Sequence, residues 1–157
     1  MHKIKESGND TNGDKMKDSK DVLASIVKTT QMGQIGIRSV LKSPLRASMQ
    51  SALKSQLKEY DSIEREAQSI ATSRGWEIKD LDPAIKSMTD MMTRTRLSFG
   101  DASSKAAAMM IQGNTRGVIK GLKNLHRYPC SDQRITTLSQ KLLDCEKNNI
   151  QQMQEFL

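Results

Sequence analysis

The chain has 157 residues, a length that suits one domain with one core, and its 25 lysines and arginines against 18 aspartates and glutamates leave a formal charge of +7. Aromatics are only 3% of the residues and Val contributes just four, whereas Ala, Leu, Met, Lys, Arg, Gln and Glu dominate, which argues against a β-rich fold. No stretch reaches the roughly 18 uninterrupted apolar residues of a membrane span, and the first residues lack the apolar run of a secretory signal; a cytoplasmic protein with no membrane contact is expected.

Residues 1–20 hold Gly8, Gly13, Asn9 and Asn12 among charged side chains, with Met1, Ile4 and Met16 as their apolar members. So little apolar surface cannot offset the entropy of ordering, and a flexible charged tail is expected, followed by a helical domain over 21–157. From Asp21 the apolar residues fall at helical spacing. Val22, Leu23, Ile26, Val27, Ile37, Val40 and Leu41 share one face of a first helix over about 21–42. Gly33 and Gly36 interrupt it, each costing about 1 kcal/mol against Ala, a cost that makes sense where a neighbouring helix comes close.

Ser43-Pro44 reads as a cap followed by a helix start. The second helix then carries a stripe of Leu45, Met49, Ala52, Leu53, Gln56, Tyr60, Ile63, Ala67, Ile70 and Ala71 to about Arg74, with Gly75 as its stop. Asp82-Pro83 repeats the signal and opens a shorter third helix ending near Ser98, with Ile85, Met88, Met92 and Leu97 as its apolar set. A fourth helix, about 102–127, turns Ala106, Met109, Met110, Gly113, Gly117, Gly121 and Leu125 inward. Tyr128-Pro129-Cys130-Ser131 is a turn signal, and a fifth helix to about Phe156 buries Ile135, Leu138, Leu142, Cys145, Asn149 and Met153.

Short joints make the first two and the last two long helices antiparallel pairs. The third helix, about 22 Å long at ~1.5 Å per residue, returns the chain along the bundle so that the second and fourth helices run parallel. The expected fold is all-α: a ferritin-like four-helix bundle with a shorter crossover helix between the second and third long helices.

The positive charge is not gathered into a run along the chain. Signs alternate, as in Lys58-Glu59-Tyr60-Asp61 and Glu64-Arg65-Glu66, so a solvated surface is expected and no specific nucleic-acid binding. Cys130 and Cys145 lack a second pair or a nearby metal-binding histidine and read as free thiols; His126 before Cys130 has no orienting carboxylate and makes a poor catalytic pair.

A di-iron bundle needs carboxylates from two helices and Glu-x-x-His from two others. Here the residue three after Glu59 is Ser62 and the residue three after Glu146 is Asn149, while the histidines are His2 and His126, far from mid-bundle. No metal, cofactor or catalytic residue is therefore expected. The remaining polar candidates for the core are Gln34, Glu59, Gln112, Glu146 and Asn149; with the two carboxylates they form the alternative of a degenerate metal or redox site. Otherwise Gln34, Gln56, Gln112 and Asn149 satisfy one another across the core. The methionines of the third and fourth helices stand at core-like spacing and read as gap fillers.

The segment Met109-Met110-Ile111-Gln112-Gly113-Asn114-Thr115-Arg116-Gly117-Val118-Ile119, with Gln56-Leu57-Lys58-Glu59-Tyr60 before it and Leu142-Leu143-Asp144-Cys145-Glu146-Lys147-Asn148-Asn149-Ile150 after it, resembles a family of small bacterial ferritin-like bundles found in Gram-positive anaerobes. The likeness covers about residues 21–157 and implies the fold without an activity. Together these readings point to a non-enzymatic, metal-free bundle that acts through association with itself or with a protein partner, polyanion binding being a weaker alternative.

Overall fold

Residues 11–127 and 132–157 are described by a computed structural model, with side chains from Asp18 onward. They form five helices, α1 Thr11–Val40, α2 Ala47–Ser73, α3 Pro83–Leu97, α4 Ala102–Arg127 and α5 Gln133–Met153, with a closing 3-10 turn Gln154–Phe156 and no strand among the described residues. The all-α expectation holds.

α1 begins ten residues before its expected start, because once a helix is nucleated each added residue gains a hydrogen bond and nothing from Thr11 to Lys20 breaks it. Residues 1–10 of the expected tail, and the turn at 128–131 with Cys130, lie outside the described residues. The stripe from Leu45 to Ala71 is buried at every expected position, and so is the set from Ile135 to Met153 on α5.

The helix ends follow simple chemistry, with one correction. Ser43-Pro44 marks the joint but does not cap α2: Leu45 is drawn into the core, and the backbone N–H of Arg46 donates instead to Ser103 Oγ of α4 at 3.0 Å. Gly75 adopts φ 67°, which lets the Gly75 and Trp76 amides close the last turn on Thr72 and Ala71 carbonyls. Asp82 Oδ1 accepts from the Ala84 amide at 2.9 Å ahead of Pro83, and Asp132 Oδ1 caps α5 through Arg134 N–H at 3.0 Å.

Contacts at the ends set the helix directions. Arg46, just before α2, bonds to Ser103 and Asp101 at the start of α4, so α2 and α4 begin at the same end. Arg74, after α2, pairs with Asp132, before α5. Asn124 near the end of α4 donates to Ser25 at the middle of α1 at 2.8 Å, and α1 ends beside the start of α2 across the short joint at 41–46. Hence α1 and α5 run one way, and α2 and α4 the other. α3 lies along the second half of α1 and parallel to it: Gln31 binds Asp80 and the Leu81 amide at one end, and Ser39 and Lys42 bind Asp90 further on.

α3 is where the apolar pattern misleads. Met88 and Met92 are 58% and 48% exposed, and the buried residues of α3 are Thr93 and Leu97. An apolar period marks a face but not whether anything covers it. α3 rests on α1 and touches α4 only sparsely, which leaves a cavity between the three helices.

Candidate functional site

The cavity encloses about 490 Å³, within the usual range of small-molecule sites. Its two long walls are short of side chains. Gly33 and Gly36 of α1 and Gly113 and Gly117 of α4 line it, and at Gly36 and Gly113 an added Cβ would meet nothing within 4 Å. Methionines Met32, Met92, Met109 and Met110 supply soft apolar contacts around these faces.

Polar groups from three helices form its inner end. Tyr60 of α2 is buried, and its hydroxyl donates to Asn114 Oδ1 of α4 at 2.7 Å. The same oxygen accepts from Asn149 Nδ2 of α5 at 3.2 Å, and Asn114 Nδ2 donates to the Met110 carbonyl at 2.8 Å. Glu146, one turn before Asn149 on α5, is 1% exposed and reaches the cavity over Gly117. Neither of its carboxyl oxygens receives a hydrogen bond among the described residues. Buried polar atoms are normally satisfied, so an orphan carboxyl beside a cavity is a mark of a ligand site rather than of stable packing.

Burial sets the protonation of this end. It raises the Glu146 carboxyl from 4.5 to about 8, so the acid carries its proton at neutral pH and offers one donor and one acceptor. Burial, reinforced by the charges of Glu146 and Cys145, holds the Tyr60 phenol well above its ordinary value. The Cys145 thiol is pushed up to about 12, by burial first and then by Glu59, which makes it a poor nucleophile.

The outer end is basic. Lys28 of α1, Arg96 of α3, and Arg116 and Lys120 of α4 line the mouth, are exposed, and make no ion pair among the described residues. Each α4 cation stands three residues after a wall glycine, Arg116 after Gly113 and Lys120 after Gly117, so helical spacing puts charge and open wall on one face. Acetate-like neutralisation from within is absent from this set: Glu146 is the one acidic residue lining the cavity among the described residues.

The sequence candidates divide. Glu146 and Asn149 meet at the inner end with Asn114, whereas Glu59 is exposed and Gln112 lies on the cavity wall, exposed. Gln34 is buried but donates to Glu64 Oε2 at 2.9 Å, and Gln56 donates to Gln152 Oε1 at 2.7 Å. The expectation that Gln34, Gln56, Gln112 and Asn149 satisfy one another is therefore corrected: carboxylates and amides nearer in the packing take them instead. Tyr60 stands on the expected stripe of α2, but Asn114 lies outside the inward set expected for α4; its spacing four residues after Met110 is the signal that could have placed it inside.

The donor set at mid-bundle is one carboxyl, two amides, a phenol and a thiol, and no three of His, Cys, Asp and Glu converge among the described residues. A pair of hard transition ions requires several anionic oxygens and imidazoles, so these residues do not fit a di-iron centre.

No family model, no curated protein and no solved structure matches the chain.

Proposed function

We propose that this protein is a non-enzymatic, ferritin-like bundle that acts by binding a small molecule in the cavity between α1, α3 and α4. The observation that carries this reading is Glu146: a buried carboxyl, unpaired among the described residues, at the inner end of a glycine-walled cavity. The helix directions support the ferritin-like description, since α2 and α4 run parallel and α3 is the crossover between them. In a ferritin the mid-bundle space holds metal; here glycines and a lone acid make room for an organic group. Nothing in the site joins a nucleophile to a base, which favours binding over catalysis.

The test uses 8-anilinonaphthalene-1-sulfonate, an aromatic anion whose fluorescence rises in apolar surroundings. It should bind the full chain near one to one. Gly113→Leu adds a side chain where there is open space and raises helix propensity, so the variant should fold at least as stably while losing this binding tenfold or more. Unchanged binding in a folded Gly113→Leu variant would remove the cavity reading.

A second reading, association with another copy of the chain, is favoured by Met88, Met91 and Phe99, which are 58%, 64% and 80% exposed on and after α3. Sedimentation of the wild type beside Met88→Lys/Met91→Lys decides it: a dimer lost on substitution supports association, and a monomer in both ends it.

A further inference from the structure

The two ends of the cavity ask for different chemistry, and few ligand classes answer both. The rim presents four cations that make no ion pair among the described residues. The inner end presents a carboxyl with both oxygens unpaired, held beside Asn114 and Tyr60. An inorganic anion satisfies the mouth and leaves Glu146 as it is. A fatty acid places its carboxylate well but ends its chain against Glu146, where two polar oxygens need partners. A polyamine suits Glu146 and is repelled on entry by Lys28, Arg96, Arg116 and Lys120.

The space between the ends is also selective. Gly36 and Gly113 lack Cβ atoms where the walls are open, which leaves room for a flat group, and thioethers of Met32, Met92 and Met109 line the same cavity, groups that contact aromatic rings favourably. A nucleobase is flat, apolar on its faces and hydrogen-bonding on its edge, where an N–H stands beside a ring nitrogen or a carbonyl at a spacing that a carboxyl matches with its two oxygens. Its sugar-linked phosphate is the group that arginine and lysine bind best.

Building on the reading of the cavity as a binding site, we infer that its ligand is a nucleoside phosphate, with the base edge on Glu146 and the phosphate among Lys28, Arg116 and Lys120, the cations that the Asn124–Ser25 contact brings to one level of α1 and α4. The protonation of Glu146 at neutral pH agrees with a base edge that offers one acceptor and one donor. The phosphate stays at the wet mouth, where its charge needs no desolvation.

The experiment is calorimetric titration of the full chain with AMP, GMP, CMP and UMP, with adenosine and inorganic phosphate as the two separate halves, beside competition against bound anilinonaphthalene sulfonate. At least one nucleotide should bind tenfold or more tightly than either half and displace the dye. Gly113→Leu should abolish that binding. Arg116→Glu/Lys120→Glu should weaken the nucleotide by more than tenfold and far more than it weakens the nucleoside, whereas Glu146→Ala should weaken both. If the dye binds in a Gly113-dependent manner and none of the four nucleotides displaces it, the ligand class is wrong and the cavity reading stands. Nucleotide binding that survives Gly113→Leu in a folded variant would place the site elsewhere on the basic surface and overturn the inference.

Discussion

The carboxyl of Glu146 occupies the space that a side chain on Gly117 would need: a Cβ at position 117 would stand 1.7 Å from Oε2 and 2.4 Å from Cδ. The two residues, on α5 and α4, define the inner end of the cavity together. A side chain at 117 requires the Glu146 carboxyl to move.

Gly117→Ala therefore should not behave as an ordinary glycine-to-alanine change in a helix, which stabilises by about 1 kcal/mol. The methyl has to expel the Glu146 carboxyl from its seat, and we expect a net loss of about 1–3 kcal/mol by urea denaturation. In Gly117→Ala/Glu146→Ala the seat is vacated and most of that loss should return. Strict additivity of the two changes would show that the residues are not in contact.

A parallel contrast lies on α1. A Cβ on Gly33 would meet the Tyr60 ring at 2.6 Å, whereas one on Gly36 would meet nothing within 4 Å. The close helix approach expected at these glycines is real at the first and missing at the second, where the wall opens onto the cavity. Gly36→Ala should raise stability by about 0.5–1 kcal/mol and Gly33→Ala should lower it by about 1–3 kcal/mol, because a buried ring hydrogen-bonded to Asn114 has no free path to move. Thermal melts of the two variants with the same sign of shift would contradict this.

Glu146 also sets a pH dependence. Its folded value, raised to about 8 by burial, lies above the ordinary 4.5, so between these values the folded state holds a proton that the unfolded state has released. Stability contributed by this group is greatest below about pH 4.5 and is lost as pH rises, with a slope of at most about 1.4 kcal/mol per pH unit, until the folded acid ionises near pH 8. Glu146→Gln removes the titration while keeping the shape. Relative to wild type it should gain stability on going from pH 5 to pH 8, by a few kcal/mol at most. Urea midpoints measured across that range should converge at the acid end; parallel profiles for the two proteins would place the titrating group elsewhere.

How much of this was legible beforehand follows from what helical periodicity can encode. A stripe identifies a buried face when one neighbour covers all of it, as for Met49, Ile63 and Ile70 on α2 or Leu138 and Met153 on α5, all of them buried. It fails where coverage is partial. Met88 and Met110 have the same kind of spacing, yet α3 leaves the first exposed, and the second is buried at the edge of the cavity. The candidate site was half legible for the same reason. Asn149 follows Leu142 and Cys145 on the inward stripe of α5, so its burial could be read directly, whereas Glu146 beside Cys145 stood only as an alternative polar-core candidate, and the partner of an inward polar group lies on another helix. Asn114 and Tyr60 became partners only through the relative heights of α4 and α2. The basic mouth joins α1, α3 and α4, elements whose separation is set by how loosely α3 docks, and no local pattern contains that distance.

That docking depends on a small set of polar contacts. Gln31 holds the Leu81 amide at 3.0 Å and Asp80 at 2.8 Å before α3 starts, and mid-helix Asp90 accepts from the Ser39 hydroxyl and from Lys42 Nζ, the latter at 2.9 Å. Lys42, then Ser39, hold the Asp90 carboxyl below its ordinary value, so the contact operates as a carboxylate. Apolar burial on α3 is limited to Leu97 near its end, leaving little else to position its middle against α1. Asp90→Ala should accordingly loosen α3 while sparing the core of the other four helices. Amide hydrogen exchange is the suitable measurement: protection should fall by tenfold or more across residues 84–97 and stay within twofold along α2 and α5. Because α3 carries Arg96 and Met92 into the cavity wall, dye binding should weaken with it. An unchanged exchange pattern in α3 would mean that Leu97 and the flanking turns hold the helix without the Asp90 contact.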